Sequence, residues 1–508
     1  MTTPPTDPRD AFFAVDFDAA AIGRRTGRAS RLILIMAVGK FLLHLVSLFI
    51  ISRLVPPEEF GVAALAMPII LIVTQLSQFG LVEPIVQSRA LSHRLVSSLF
   101  WFNFLFGAGF ALIVVLLAGP AAQLYGDPRV APVFRVLALS VFLSAISTPY
   151  IAILRRRMQF KLLELALFAA FALSILVAVI AAWAGASYWA VVIQHALQPA
   201  ITIAILAPLC GWAPSPPWLA KLGEAKRLLK FGGHVALAGV VARIGQSVPT
   251  IVAGRFLGIE AAGLYYRSIT IAQLVPQRAI TPLASVFVAS LSRLQDQPED
   301  YRRMVERMLP RMSVLLMPVG VLLATLPDVM VRYTLGPNWV ETAPLIAWMS
   351  VVIIQAPVFS VGNWILISVG ASRAMLNFAV FGLVATTAAA LIGVRYGIET
   401  MTAAYMLSSL FLRMPSLLVL AHRHSGLPYG GLLRACGIDL ALVLGTIAAM
   451  LGLRAALSGY GDLIQAAAVC LAIALIYGAR ILLDPVLRLD AWGMLYKIAS
   501  RLSRRRPV

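Results

Sequence analysis

Leu32-Ile33-Leu34-Ile35-Met36-Ala37-Val38-Gly39-Lys40-Phe41-Leu42-Leu43-His44-Leu45-Val46-Ser47-Leu48-Phe49-Ile50-Ile51-Ser52-Arg53-Leu54 is the stretch on which the fold turns. It is apolar for the roughly 20 residues a helix needs to cross a bilayer. It is interrupted only by Lys40, His44 and two serines before it ends on Arg53. In lipid every backbone group must find its partner within the segment, so such a run is a helix. The polar head before it, with Arg24, Arg25, Arg28 and Arg31, shows no short apolar core followed by a cleavage site, so this first helix is expected to remain as an anchor.

The same reading repeats along the chain. Apolar runs fall at about 62–82, 95–119, 131–154, 163–185 and 187–209. After a polar, Pro-rich stretch they resume near 231–257, 264–290, 309–333, 343–368, 374–394, 398–421, 432–456 and 462–483. The fold class expected is all-α: a polytopic membrane protein of about fourteen transmembrane helices. Composition agrees. Of 508 residues, 60% are hydrophobic and 13% charged, against roughly 45–50% and 25% in soluble domains. A single water-soluble fold is excluded.

The net charge of +20 would suggest nucleic acid in a soluble protein. Here the basic residues lie between apolar runs. With the N-terminus inside, 31 of the 42 Lys and Arg fall in inside segments, 8 outside and 3 within spans. Arg413 and Arg480 are among those assigned to the inside. That asymmetry is the positive-inside pattern of a membrane protein with both ends cytoplasmic, and no nucleic-acid partner is expected. Cys210, Cys436 and Cys470 have neither metal-ligand nor disulfide spacing.

Arg53 opens a second signal. Arg53-Leu54-Val55-Pro56-Pro57-Glu58-Glu59-Phe60-Gly61 and Arg255-Phe256-Leu257-Gly258-Ile259-Glu260-Ala261-Ala262-Gly263 match in register at Arg53/Arg255, Glu58/Glu260 and Gly61/Gly263, an offset of 202 residues. Each links the first and second helix of a set of six. Six is even, so the sets share one orientation and form parallel repeats about an axis along the membrane normal, a transporter architecture. The expected organisation is a cytoplasmic tail (1–30), a first six-helix lobe (31–210), a cytoplasmic linker (211–230), a second lobe (231–421), two additional helices (422–483) and a basic cytoplasmic tail (484–508).

Lys40, Arg243 and Arg278 lie inside spans. A charge at the bilayer centre costs about 2.5–3.5 kcal/mol on insertion scales, so these three are read as cations facing an aqueous cavity and contacting an anionic substrate. Pairing with helix-end carbonyls or in internal bridges is the structural alternative. His44, Gln75, Asn103, His195, Gln246, Gln273 and Asn363 are polar groups able to line the same cavity or to bond helix to helix. Glu83 and Glu164 sit at span ends and read as interfacial. Prolines recur within spans, Pro249 and Pro357 among them, and permit kinks. No metalloprotease helix, no phosphate-cradling nucleotide loop and no paired loop carboxylates occur. The external loops are too short to hold a catalytic domain, so the chain is not read as an enzyme, and no cofactor or metal is expected.

The chain resembles the polysaccharide transport family of the multidrug/oligosaccharidyl-lipid/polysaccharide (MOP) flippase superfamily, most closely its Wzx branch. The residues carrying the likeness are Arg53-Leu54 with Pro57-Glu58-Glu59-Phe60-Gly61; Phe79-Gly80-Leu81 with Ile85-Val86-Gln87; and Leu228-Leu229-Lys230-Phe231-Gly232. Gly254-Arg255-Phe256-Leu257-Gly258 with Gly263-Leu264-Tyr265-Tyr266-Arg267, Ser290-Leu291-Ser292-Arg293-Leu294-Gln295, and Leu335-Gly336 with Trp339 and Ala343-Pro344-Leu345 complete the set. The resemblance implies two six-helix lobes around a central cavity, plus two extra helices. It also implies alternating access that moves undecaprenyl-pyrophosphate-linked oligosaccharide from the cytoplasmic to the periplasmic leaflet of the bacterial inner membrane for surface polysaccharide synthesis, O-antigen or exopolysaccharide. Expected partners are that lipid-linked oligosaccharide, membrane lipids, and the polymerase and chain-length proteins of the same pathway. Pro249 stands where the branch often carries Asp, and Glu83 where a small residue is usual; the first departure leaves an ion-coupling acid unassigned. Flipping of lipid II and cation or drug antiport are the alternative activities within the superfamily.

Overall fold

A computed structural model describes residues 8–13, 19–77, 85, 91–219, 233–485 and 487–489. Glu83, the motif positions at 79–81 and 86–87, the stretch 228–232 and the basic tail from 490 onward lie outside the described residues.

The described secondary structure is helical, with no strand. In chain order the long helices are α1 (Ala19–Leu54), α2 (Pro57–Ser77), α3 (His93–Tyr125), α4 (Val130–Arg156), α5 (Phe160–Trp183), α6 (Trp189–Cys210), α7 (Gly233–Phe256), α8 (Ile259–Arg293), α9 (Pro298–Thr325), the short α10 (Pro327–Thr334), α11 (Thr342–Ser368), α12 (Ser372–Gly393), α13 (Ile398–Ser408), α14 (Met414–Ser425), α15 (Tyr429–Ala456) and α16 (Asp462–Leu483). A π-helical turn, Ser409–Arg413, joins α13 to α14 as one continuous rod. Among the described residues thirteen such segments are long and apolar enough to cross a membrane. The fourteenth expected span is α8, 35 residues long, whose Arg267, Gln273, Gln277, Arg278 and Arg293 dilute its apolarity. Side chains such as Leu42, Leu116, Ile180, Val384 and Leu475 are exposed, the outward apolar surface that lipid covers.

Helix ends follow local chemistry. Pro57 starts α2 with Glu58 and Glu59 in its first turn, where a missing N–H costs nothing and negative charge meets the helix dipole. α3 is capped by Ser92, whose Oγ accepts from Leu95 N at 3.2 Å. Asp10 adds a second acceptor for the N–H of His93 at 2.6 Å. The corner between α1 and α2 is turned by Pro56-Pro57; the equivalent corner before α8 uses Gly258 at φ +95°.

By internal packing the chain divides into two compact units, Met1–Tyr266 and Arg267–Val508. In the first, Phe13, Leu99, Phe100, Tyr150, Ile153 and Trp212 form a buried cluster at one end of α3 and α4. In the second, α15 and α16 are tied to the unit by charge as well as by packing. Buried Asp439 accepts from Ser313 of α9 and from Arg480 of α16. Arg454 holds Asp328 through two hydrogen bonds of 3.0 and 2.8 Å, and Arg332 pairs with Asp462 at 2.7 Å. Arg480 was expected in the cytoplasmic tail. It instead belongs to the last turn of α16, because its carboxylate partner lies inside the unit and holds it there.

Candidate functional site

α1 packs on α5, and Lys40 Nζ lies 2.8 Å from Glu164 Oε2, both side chains largely covered. One helical turn further along α1, His44 stacks on Phe171, ring centroids 6.0 Å apart and 9° from parallel. Glu164, expected at the interface, thus neutralises the first embedded cation. Apolar periodicity could not reveal this, because the partner is 124 residues away in the chain.

Arg243 is half-buried midway along α7. Its Nη1 donates to Gln246 Oε1 at 3.3 Å, and among the described residues no carboxylate pairs with it. Gln246 is exposed, whereas Pro249, one turn on, is buried. Arg278 on α8 is exposed; one position before it, Gln277 Nε2 donates to Gln273 Oε1 at 3.0 Å.

The polar candidates divide. Asn103 is fully buried on α3; its Nδ2 donates to the Ala145 carbonyl, and its Oδ1 is buried without a hydrogen-bond partner. Asn363 donates to Phe359 O at 2.8 Å, one turn back on its own helix. His195 is half-buried, and its backbone carbonyl accepts from Ser140 Oγ at 2.8 Å. Gln75 is exposed on α2.

The repeat-related loops meet each other. Arg53, Glu58, Arg255 and Glu260 are exposed, whereas Gly61 and Gly263 are buried. A Cβ on Gly61 would fall 2.1 Å from the Ile259 carbonyl oxygen, and one on Gly263 would fall 2.5 Å from the Pro57 carbonyl oxygen. Pro57 and Ile259 are themselves related by the 202-residue offset, so the contact is reciprocal: each glycine faces the same carbonyl of the other repeat. That reciprocity is the signature of a local two-fold axis.

At the loop between α3 and α4, Arg129 forks onto Asp127, Nη2 to Oδ2 at 2.8 Å, and reaches Glu59 at 3.3 Å. Glu59 also accepts from Ser187 Oγ at 2.6 Å. Burial raises the Asp127 pKa, but the side-chain and backbone hydrogen bonds and the charge of Arg129 together outweigh it and hold the carboxyl below its ordinary value.

Arg413 was counted with an inside segment although the expected run 398–421 contains it, and it lies within the continuous rod from Ile398 to Ser425. Counting it as a loop cation hid it from the embedded charges, and nothing in the local pattern marks the π turn that carries it.

A family model described as "Polysaccharide biosynthesis protein" matches residues 50–344, from the end of α1 into α11. The chain belongs to the polysaccharide biosynthesis protein family. Among curated relatives, it is 21% identical over 318 residues to the lipopolysaccharide biosynthesis protein WzxC of Escherichia coli (strain K12), covering 61% of this chain and 63% of that protein. It is 24% identical over 314 residues to the succinoglycan biosynthesis transport protein ExoT of Rhizobium meliloti (strain 1021), with coverage of 61% and 63%. The match thus spans a little under two thirds of these relatives' length. Among solved structures, the lipid II flippase MurJ in an inward closed conformation is similar with a TM-score of 0.67 at 13% identity, covering 88% of this chain and 98% of that one. An inward-facing multidrug resistance MATE transporter of the MOP superfamily follows at 0.58 and 13%, covering 80% and 98%. The family member described here therefore shares the fold of these two transporters.

Proposed function

We propose that this family member is a flippase that carries undecaprenyl-pyrophosphate-linked oligosaccharide repeat units from the cytoplasmic to the periplasmic leaflet of a bacterial inner membrane, with both termini cytoplasmic. The relatives' names, which refer to lipopolysaccharide and succinoglycan synthesis, support a surface-polysaccharide cargo. The observation that carries the headgroup chemistry is Arg243, a mid-span guanidinium whose hydrogen-bond partner is the neutral Gln246. Such a charge is costly to keep in a membrane, and a phosphate oxygen is the acceptor that guanidinium groups bind best, often bidentately.

In this reading Arg243 and Arg278 contact phosphate directly. Lys40 exchanges Glu164 for phosphate as the headgroup arrives, and the exposed amides of Gln75 and Gln246 hydrogen-bond the sugar hydroxyls. No bond in the cargo is made or broken; the work is desolvation of a charged headgroup. The polymerase and chain-length proteins of the pathway receive the flipped unit.

The test is export in a deletion strain complemented with variants. Arg243→Ala and Lys40→Ala are expected to abolish surface polymer while the protein stays in the membrane and the lipid-linked precursor accumulates on the cytoplasmic side. Normal polymer output from the double variant overturns the proposal. Loss of cell-wall synthesis, rather than of polymer, on gene deletion would assign lipid II as the cargo instead.

A further inference from the structure

The rod from Ile398 to Ser425 carries chemistry that the function proposed above does not use. The π turn Ser409–Arg413 lies in its middle, and Arg413 is the last residue of that turn. At about 1.5 Å per residue, Arg413 is roughly 22 Å from one end of the rod and roughly 18 Å from the other, so it sits near the rod's middle. π turns inside helices are rare and concentrate at functional sites, because they spend regular hydrogen bonding to re-aim a side chain.

The side chain is held with care. Its Cζ lies 5.3 Å from the ring centroid of Phe359 and 5.8 Å from that of Phe378. A Cβ on Gly382 of α12 would fall 2.8 Å from Arg413 Nε and 3.4 Å from both Cζ and Nη2, so the guanidinium rests on bare backbone that a larger residue would push away. The rings attract the cation but accept few of its five N–H donors. Nε is buried with no hydrogen-bond partner, and among the described residues no carboxylate pairs with Arg413.

A second orphan lies close by on the same rod. α12 and α13 run antiparallel, with Gly393 against Met401 and Gly382 against Arg413. Ser408, about one turn before Arg413, has its Oγ buried without a partner, whereas the neighbouring Ser409 hydroxyl is satisfied by Gln355 Oε1 at 3.1 Å. Buried polar atoms are almost always paired. Two orphan donors a turn apart, one of them cationic, suit an anion with several acceptor oxygens.

We propose that Arg413, with Ser408 a turn before it, forms a phosphate-binding subsite on α12–α14 for the pyrophosphate headgroup of a polyprenyl-linked cargo. The inference rests on the flippase reading and adds to it a contact in the second unit, on helices that carry none of the cations assigned above. The planar fork bonds two phosphate oxygens at once, the Ser408 hydroxyl donates to another, and Phe359 and Phe378 keep the fork in plane.

The full-length chain in nanodiscs is titrated with farnesyl pyrophosphate, farnesol and inorganic pyrophosphate. The unmodified protein is expected to bind farnesyl pyrophosphate about ten-fold more tightly than farnesol, the scale of one charge-assisted hydrogen bond, and more tightly than inorganic pyrophosphate. Arg413→Gln is expected to cut the preference over farnesol by about three-fold or more while leaving farnesol binding unchanged; Arg413→Lys should restore part of it. Where Arg413→Gln does not accumulate, Ser408→Ala removes one donor, and a weakening of about three-fold or more for farnesyl pyrophosphate alone supports the subsite. An unchanged preference in Arg413→Gln, or in Ser408→Ala where that variant stands in, overturns the subsite and leaves the flippase reading intact. Equal binding of farnesyl pyrophosphate and farnesol by the unmodified chain overturns both. Inorganic pyrophosphate binding as tightly as the lipid assigns the cradle to a free anion and overturns its role for a lipid headgroup.

Discussion

Gly61 and Gly263 touch backbone to backbone: a Cβ on Gly263 would stand 3.0 Å from both the Cα and the amide nitrogen of Gly61. The helix following each repeat corner therefore approaches its counterpart with no side chain between them. Glycine at both positions is a packing requirement, since a methyl group would meet backbone atoms that cannot rotate away.

Gly61→Ala and Gly263→Ala are each expected to lower the melting temperature of the detergent-solubilised protein strongly, with losses at the upper end of overpacking effects, about 3 kcal/mol. Gly109, on α3 with open space around its Cα, supplies the control. Gly109→Ala should be neutral or stabilising by about 0.5–1 kcal/mol, because alanine loses less entropy in a helix. Equal melting temperatures for Gly263→Ala and Gly109→Ala would refute the close approach.

The Asp439–Arg480 pair makes the second test. It is buried between α15 and α16 and bonded to Ser313 of α9. Asp439→Asn or Arg480→Gln alone strands a partner and should cost about 3–5 kcal/mol, whereas replacing both by apolar residues should recover much of that loss. A double-mutant cycle on unfolding in detergent reads the coupling directly; additivity of the two singles would mean that the pair is not formed.

Lys40 and Glu164 allow stability to be separated from transport. Each single change to Ala leaves a charge uncompensated and should reduce the amount of folded protein. The double change removes both charges and should restore the amount, with a coupling of about 1–3 kcal/mol. Polymer export should stay low in the restored double variant if Lys40 itself meets the headgroup. Full export there would make the pair purely structural.

Acid sensitivity follows from two carboxylates outside the spans. Asp127 and Asp328 are both held below the usual carboxylate range. In Asp328 burial works upward but is outweighed by the hydrogen bonds and charge of Arg454 and by backbone N–H groups. A depressed carboxyl contributes stability that is complete above its unfolded pKa, about 3.9, and is lost as pH falls through the lower folded value. Melting temperature is therefore expected to show no change from these groups between pH 7 and 5 and to fall below about pH 4. Asp328→Asn should flatten part of that decline; an identical acid limb in the variant would show that the Arg454 contact contributes nothing.

Much of the molecule was legible in the one-dimensional pattern. Runs of about 20 apolar residues mark the spans, and thirteen satisfy length and apolarity among the described residues. α8 escapes that criterion because its own arginines and glutamines lower its apolarity, although it is helical throughout. The in-register pairs Arg53/Arg255, Glu58/Glu260 and Gly61/Gly263 were visible as a repeat; that Gly61 and Gly263 meet backbone to backbone was not. The partners of the embedded charges were not legible. Glu164 lies at the start of a span and looks interfacial, and Arg480 and Arg413 were counted with inside segments although the expected runs 462–483 and 398–421 contain them.

Hydropathy, helical periodicity and the 202-residue offset are properties of neighbouring residues or of matched segments, so the sequence alone determined an all-helical, membrane-crossing family member with repeated corners. Which cation keeps a carboxylate and which is left with only neutral or aromatic company depends on how helices distant in the chain slide into register. A shift of one residue turns a side chain by about 100° around its helix. Only the tertiary structure decides that register, and so it alone set Lys40 on Glu164, Arg480 on Asp439, and Arg413 between two rings and a glycine.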